Sequence, residues 1–140
     1  MKYISVILLS LIIFPAKAIL AVSVDDKYRF DNLEEVSSYL NWRVSGWSVI
    51  DSRSLIVNIS RSKSYLVILA HDLPAMRYTD QIKITSMNSR VRSKIDRVYV
   101  PNQNSRSTNI FAIYLLPDRT TRQDARKKIL SDNFEIIEDI

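Results

Sequence analysis

The sequence predicts an α+β, β-rich domain: six antiparallel strands in a meander or a small, partly closed barrel, with a short N-terminal and a short C-terminal helix. Three observations predict it. Between Trp42 and Leu116, apolar residues recur with period two in short runs rich in Val, Ile and Tyr, and polar turns separate the runs. On either side of that stretch the spacing turns helical, and each helical part carries a capping pattern, Asp31 with Glu34 and Thr121 with Asp124. Residues 19–140 are enough for one core and too few for two.

Residues 1–18 stand apart as a secretory signal peptide. Lys2 gives the positive n-region, Ile4 to Phe14 the apolar stretch, and Ala16-Lys17-Ala18 the small-residue cleavage site. Cleavage there starts the mature chain at Ile19; a cut after Ala21 would place Ile19 where a smaller side chain is preferred. The competing reading is an uncleaved anchor, but a span needs about 20 apolar residues, and Pro15 and Lys17 interrupt this run. Later segments are too short or too polar to cross a bilayer. The expected destination is the periplasm or the medium, where disulfides form, yet the chain has no cysteine. That absence also removes the residue a bacterial lipoprotein would need after its leader.

Within the domain, Leu33, Val36 and Leu40 repeat at helical spacing and predict a helix over 32–40, with Glu34 and Glu35 in its favoured first turn. Residues 42–50 follow as a strand. Trp42 and Val44 share one parity and Trp47 and Val49 the other, so a bulge at Gly46, the single glycine, would bring all four to one face; otherwise the strand is covered on both faces. Asp51 to Arg53 form a turn, Ser54 to Ser60 a strand facing Leu55, Val57 and Ile59 one way, and Arg61 to Lys63 the next turn. Ser64 to Ala70 is apolar on both faces, the pattern of a central strand. A loop containing Pro74 leads to a fourth strand at 81–86 with Ile82 and Ile84 inward. Asn88 to Lys94 is a polar loop, and strands at 96–100 and 109–116 complete the sheet, which Pro117 ends. A helix from Thr121 to about Leu130 pairs Asp124 with Lys128, and the acidic stretch beyond Ser131 carries Phe134, Ile136 and Ile137 that would dock it.

Several chemistries are excluded. A single glycine rules out phosphate-cradling loops, and zero cysteines rule out thiol catalysis and Cys-ligated zinc. With one histidine, any metal would need oxygen ligands, and Asp25, Asp26 and Asp31 lack calcium-loop spacing. We therefore expect neither metal nor cofactor. Ser60 to Lys63 reads SxxK and Ser131 to Asn133 reads SDN, but KTG is missing and SxxK falls in a hairpin turn instead of opening a helix. His71 beside Asp72 offers a base held by a carboxylate, the basis of an alternative reading as a small secreted hydrolase. Adjacent side chains tend to diverge, and no serine is marked as its nucleophile, so no catalytic residue is assigned.

The formal charge of +5 loses Lys2 and Lys17 with the leader, a mild excess unlike that of a nucleic-acid binder. One region is asymmetric: Lys83, Arg90, Arg92, Lys94, Arg97 and Arg106 face a single acid, Asp96. Arg90, Arg92, Lys94, Arg97 and Arg106 are accordingly the candidate binding residues, for an anionic envelope component or an acidic protein. The plain alternative is a solvated face, partly neutralised by the acidic C-terminal tail. Trp42 and Trp47 could serve as a recognition surface, but, set among apolar residues, they are expected in the core.

The order of these strands resembles a family of small exported bacterial proteins known only as a domain of unknown function, several with lipoprotein-type leaders. The matching residues are Trp42, Val44, Ile50, Asp51, Arg53, Leu55, Ile56 and Val57, then Tyr65, Leu66, Val67 and Leu69, and later Asp96, Val98, Ile110, Ile113 and Tyr114. They span about residues 31–116. The resemblance implies export and a β-rich architecture, and no activity. Family members tend to carry cysteines after the third strand and near the last one, where this chain has Ala70 to Pro74 and Ser105 to Thr108. The expectation is an exported, non-enzymatic binding or interaction domain of the cell envelope, with a hydrolase or an inhibitor of an envelope enzyme as alternatives.

Overall fold

The computed structural model describes residues 24–101 and 106–131; the expected leader at residues 1–18 and the acidic stretch after Ser131 lie outside the described residues. In chain order the elements are β1 (Glu35–Val36), β2 (Ser38–Leu40), β3 (Gly46–Asp51), β4 (Ser54–Asn58), β5 (Ser64–Leu69), β6 (Lys83–Ile84), β7 (Arg90–Arg92), β8 (Arg97–Tyr99), β9 (Ser107–Leu116) and α1 (Arg119–Ser131). The fold is α+β and β-rich, and its main sheet runs β3-β4-β5-β9-β8-β6, all antiparallel, as a half-barrel. The last strand is inserted in the middle, so the sequential meander stops after β5. On its second edge β9 is shared, pairing with β8 at Ser107 to Asn109 and with β1 at Ile113 and Tyr114. The short β2 pairs with β7.

Alternation along β4, β5 and β9 buries both faces, because each faces a different core. Ile56, Leu66, Ile68, Ala112, Tyr114 and Leu116 pack outward against Ala125 and Ile129 of α1 and against Val24, Tyr28 and Phe30 of the N-terminal segment. Leu55, Val57, Val67 and Leu69 fill the inside of the half-barrel with Tyr39, Val91, Val98, Ile110 and Ile113. Ile110 and Ile113 differ in parity, yet both point inward. Leu69 pairs with Ile110 and Ile68 with Ala112, which leaves Phe111 as an extra residue that resets the alternation.

The structure corrects the sequence reading at several places. No helix forms over 32–40. A helix that short is marginal on its own, whereas in extended form Glu35 and Val36 join β9, Ser38 to Leu40 join β7, and Tyr39 becomes buried. Asn88 to Lys94 is not a plain loop. Asn88 and Ser89 both take positive φ, 51° and 61°, the turn geometry that matches strand twist, and this lets Arg90–Arg92 pair as β7. Gly46 is not a bulge. The irregularity of β3 falls between Val49 and Asp51, while residues 41–43 form a 3-10 turn that carries Trp42 out of the sheet. The C-terminal helix opens on Asp118 in place of Thr121, since Asp118 Oδ1 accepts from the Thr121 N–H at 2.7 Å. Lys128 donates to the Arg29 carbonyl and covers the Phe30 ring instead of pairing with Asp124.

Two buried carboxylates pin turns. Asp51 closes the β3–β4 turn: Oδ1 accepts from Ser54 Oγ at 2.6 Å and from the Arg53 N–H at 2.9 Å, and Oδ2 accepts from Tyr28 Oη at 2.7 Å. Tyr28 thereby ties the N-terminal segment to the sheet; burial first, then the bond to Asp51, pushes its phenol far above the ordinary range. Asp96 clasps the β7–β8 connection, accepting from the Arg92 N–H at 2.7 Å and from Thr85 Oγ1 at 2.8 Å.

Tyr28→Phe is expected to lose roughly 1.5–3 kcal/mol, the value of a hydrogen bond to a charged group, and Asp51→Ala more, because three donors lose their acceptor. Urea unfolding of the two variants checks the order. Asp96 supplies a pH dependence. Burial raises its carboxyl pKa, but the bonds from Thr85 and Arg92 and the Arg92 charge outweigh that and hold it below its ordinary 3.8. A depressed folded pKa stabilises fully above the unfolded value and is lost as pH falls through the folded one. Asp96→Asn should therefore flatten the acid limb of stability below about pH 4, measured as urea midpoints between neutral pH and the acid transition.

Candidate functional site

The chain that joins β2 to β3 forms a wall with a cleft on each side. Tyr39 points inward from β2 and is only 2% exposed. Its ring stacks on Tyr65 of β5, with centroids 5.3 Å apart and planes 17° from parallel. After Leu40 the chain turns through Asn41–Arg43, held by the Asn41 N–H donating to the Ser89 carbonyl at 2.8 Å, and enters β3. The β7 turn and the 41–43 turn are thereby fixed side by side.

The first cleft, about 200 Å³, lies between this wall and the tip of the β4–β5 hairpin. Ser38, Leu40 and Ile59 help to line it, the stacked Tyr39 and Tyr65 form its aromatic side, and Arg43, Lys63 and Arg90 supply its charge. Among the described residues no acid lines it. Arg90 donates to Ser38 Oγ at 3.2 Å, Lys63 Nζ lies 5.8 Å from the Tyr65 ring centre and the Arg43 guanidinium 4.8 Å from that of Trp42. Among the described residues the ion pairs are Lys27 with Asp51 and Arg92 with Asp96, and none of these three cations takes part in one.

The second cleft, about 290 Å³, opens where the half-barrel fails to close, between β3 and β6 at the two ends of the sheet. Val44, Trp47, Val57, Ile82 and Ile84 give it its apolar lining, and Tyr39, Asn41, Lys83 and Tyr99 line it with polar groups in nearly equal measure. The Tyr39 hydroxyl is buried and has no hydrogen-bond partner among the described residues. Desolvation, reinforced by the negative charge of Asp96, pushes its pKa far up, so it stays a neutral donor.

Of the residues singled out from the sequence, only Arg90 lines the basic cleft. Arg92 is engaged by Asp96, and Arg97 bonds Ser107 through Nε at 2.9 Å and through its guanidinium to the carbonyl at 3.2 Å. Lys94 and Arg106 are exposed on connecting segments. Arg43 and Lys63 carry no local signal: they come beside Arg90 only through the pairing of β2 with β7 and the stacking of Tyr39 on Tyr65. Trp42, expected in the core, is 66% exposed, because the 3-10 turn lifts it off the sheet, and Trp47 is half-buried at the seam. His71 is exposed and donates its backbone N–H to Thr108 Oγ1 at 3.0 Å, while the Asp72 carboxylate accepts from Ser52 Oγ at 3.0 Å. Among the described residues no cluster of His, Asp and Glu is placed to hold a metal. Of the segments where the resembled family carries cysteines, His71 and Thr108 meet, through the His71 backbone N–H and Thr108 Oγ1 at 3.0 Å.

Comparison with known proteins places the chain by sequence alone. The model of a family of unknown function, DUF6491, matches residues 1–132. No curated protein and no solved structure matches.

Tyr39→Phe removes a buried hydroxyl that has no partner, so stability is expected to stay level or rise by up to about 1 kcal/mol. A clear drop in the urea midpoint would reveal a bond that the free protein makes there.

Proposed function

The chain belongs to the DUF6491 family of unknown function, and from that premise we propose that it is an exported, non-enzymatic binding domain of the bacterial cell envelope whose partner presents an anionic group to Arg43, Lys63 and Arg90. The observation that carries this reading is the basic cleft itself. Three cations from three separate segments line one recess with a stacked aromatic side and no acid. Keeping like charges together costs energy unless an anion answers them, and a recess with low-dielectric walls concentrates their field on whatever enters. Arg92, Lys94, Arg97 and Arg106 add a longer-range positive field around it, which steers a partner and fades with salt. Export is supported by the leader at residues 1–18, which the family match includes. Among the described residues no helix is long and apolar enough to cross a membrane.

The site is tested against general basicity at equal net charge. Inorganic phosphate binding is measured by calorimetry for the protein and two triple variants, Arg43→Glu/Lys63→Glu/Arg90→Glu and Lys94→Glu/Arg97→Glu/Arg106→Glu. Each lost charge-assisted bond is worth about tenfold, so the first variant should lose binding altogether and the second keep it within a few-fold. Equal losses in both would sink the assignment. Export is checked by expressing the chain with its own leader in a bacterial host and sequencing the N-terminus; a periplasmic product beginning at Ile19 is expected. A membrane-bound product still starting at Met1 contradicts it.

A further inference from the structure

β3 ends the main sheet, and among the described residues it pairs only with β4. The backbone groups of Gly46–Asp51 that point away from β4 thus form an open edge six residues long. The Pro74–Tyr78 turn approaches β3 from the inner side, where Met76 and Val49 belong to one core, and makes no backbone bond to it. An edge of this length is a template for a further strand. The two-residue β6 across the seam is too short to serve.

The course of α1 shows which segment is at hand. Arg122 donates to the Arg61 and Ser62 carbonyls at the tip of the β4–β5 hairpin, near the start of β3. Arg126 donates to Ser48 Oγ at 3.0 Å, and Leu130 shares a recess with Ile50 and Asp51. The helix therefore runs alongside β3 in the same direction, and the chain leaves Ser131 at the far end of that strand. A reversal there returns it antiparallel along the open edge. Asp132 and Asn133 are residue types that favour a reversal, and Phe134 to Ile140 supply seven residues for the six of β3. In extended form Phe134, Ile136 and Glu138 share one face. The seam suits that mixture, offering Val44 and Trp47 to apolar side chains and Lys83 to a carboxylate, with no acid among its described lining residues.

We propose that residues 132–140 turn back at the end of α1 and add to the free edge of β3 as an antiparallel strand, with Ile136 beside Val49, Glu138 beside Trp47 and within reach of Lys83, and Asp139 opposite Gly46. This does not rest on the anion-binding reading above. It removes the seam and the β3 edge from the surface open to another chain.

The chain has no cysteine, so an introduced pair reports the contact cleanly. Gly46 accepts a side chain, since a Cβ there would meet nothing within 4 Å and its φ is not positive. The full chain, expressed with its own leader, is purified, reduced and reoxidised at low concentration with Gly46→Cys paired with either Asp139→Cys or Asn133→Cys. A disulfide needs Cα atoms within about 7 Å, so the first pair should close within one molecule at least about tenfold faster than the second, which lies at the other end of the edge. Hydrogen exchange read by NMR checks the cysteine-free chain. The β3 amides that do not bond β4 should be protected, and Ile136→Asn should speed their exchange by at least about tenfold while the β5 amides stay unchanged. Equal closure of the two pairs, edge amides that exchange as fast as those of an exposed loop, or edge protection that ignores Ile136→Asn overturns the proposal. Disulfide-linked dimers from the first pair, or edge protection that rises with protein concentration, would give the edge to a second copy of the chain and overturn it as well.

Discussion

Strand β9 pairs along both of its edges, and the shape of the domain follows from how those edges are divided. One edge is covered by β5 from Ser64 to Leu69; the other is split between β8, at Ser107 to Asn109, and β1, at Ile113 and Tyr114. The extra residue at Phe111 sits between those two pairings, adding local twist where the neighbours change. Beyond it the sheet curls, β8 and β6 swing over the inner core, and β6 stops short of β3. The seam is thus a consequence of the pairing of β9, and so is the inward position of Tyr39, since β1 leads directly into β2.

What could be read from the sequence divides along the same line. The hairpin at 54–70 was legible because its apolar period, its turn residues and its two-faced burial all agree, and its two strands pair with each other across a short turn. The fold class followed from the same signals repeated. Residues 32–40 and 88–94 were misread because each is short and polar, and each becomes a strand only when a distant edge offers hydrogen bonds: Glu35 to Tyr114, Ser38 to Arg92. The 32–40 helix pattern was real but weak, and the ladder outweighed it. The candidate site was barely legible for a related reason. Clustering along the chain singled out Arg90 to Arg106, whereas the cleft gathers Arg43, Lys63 and Arg90 across the fold.

In a cysteine-free chain, hydrogen-bonded carboxylates take over the fixing of turns. Asp51 joins the N-terminal segment, the β3–β4 turn and Ser54 through one side chain, and Asp96 joins β6, β7 and β8 through another. Both are buried, and each bond they accept offsets the cost of that burial. Where the resembled family has cysteines, the Ala70 and His71 backbone N–H groups reach Asn109 and Thr108 instead. These bonds are weaker than a covalent link, and they hold only because both segments already lie beside the inner core.

The arginines explain why a modest net charge still yields a distinct basic recess. Arg53 donates to the Leu69 and Ala70 carbonyls, Arg122 to those of Arg61 and Ser62, Arg97 to Ser107, Arg126 to Ser48, and Lys128 to Arg29. In each case a cation closes a turn or seals the helix against the sheet, with its donors directed at acceptors inside the fold. Such charges contribute to long-range potential but are not free to grip a ligand. Among the described residues the Arg43 and Lys63 side chains make no such bond, and Arg90 makes one, to a serine hydroxyl. Their contacts are with aromatic faces, Trp42 and Tyr65, which orient a cation without using up its hydrogen-bond donors. What distinguishes Arg43, Lys63 and Arg90 is therefore not that they alone are unengaged but that the fold gathers the three around one recess, beside Tyr39.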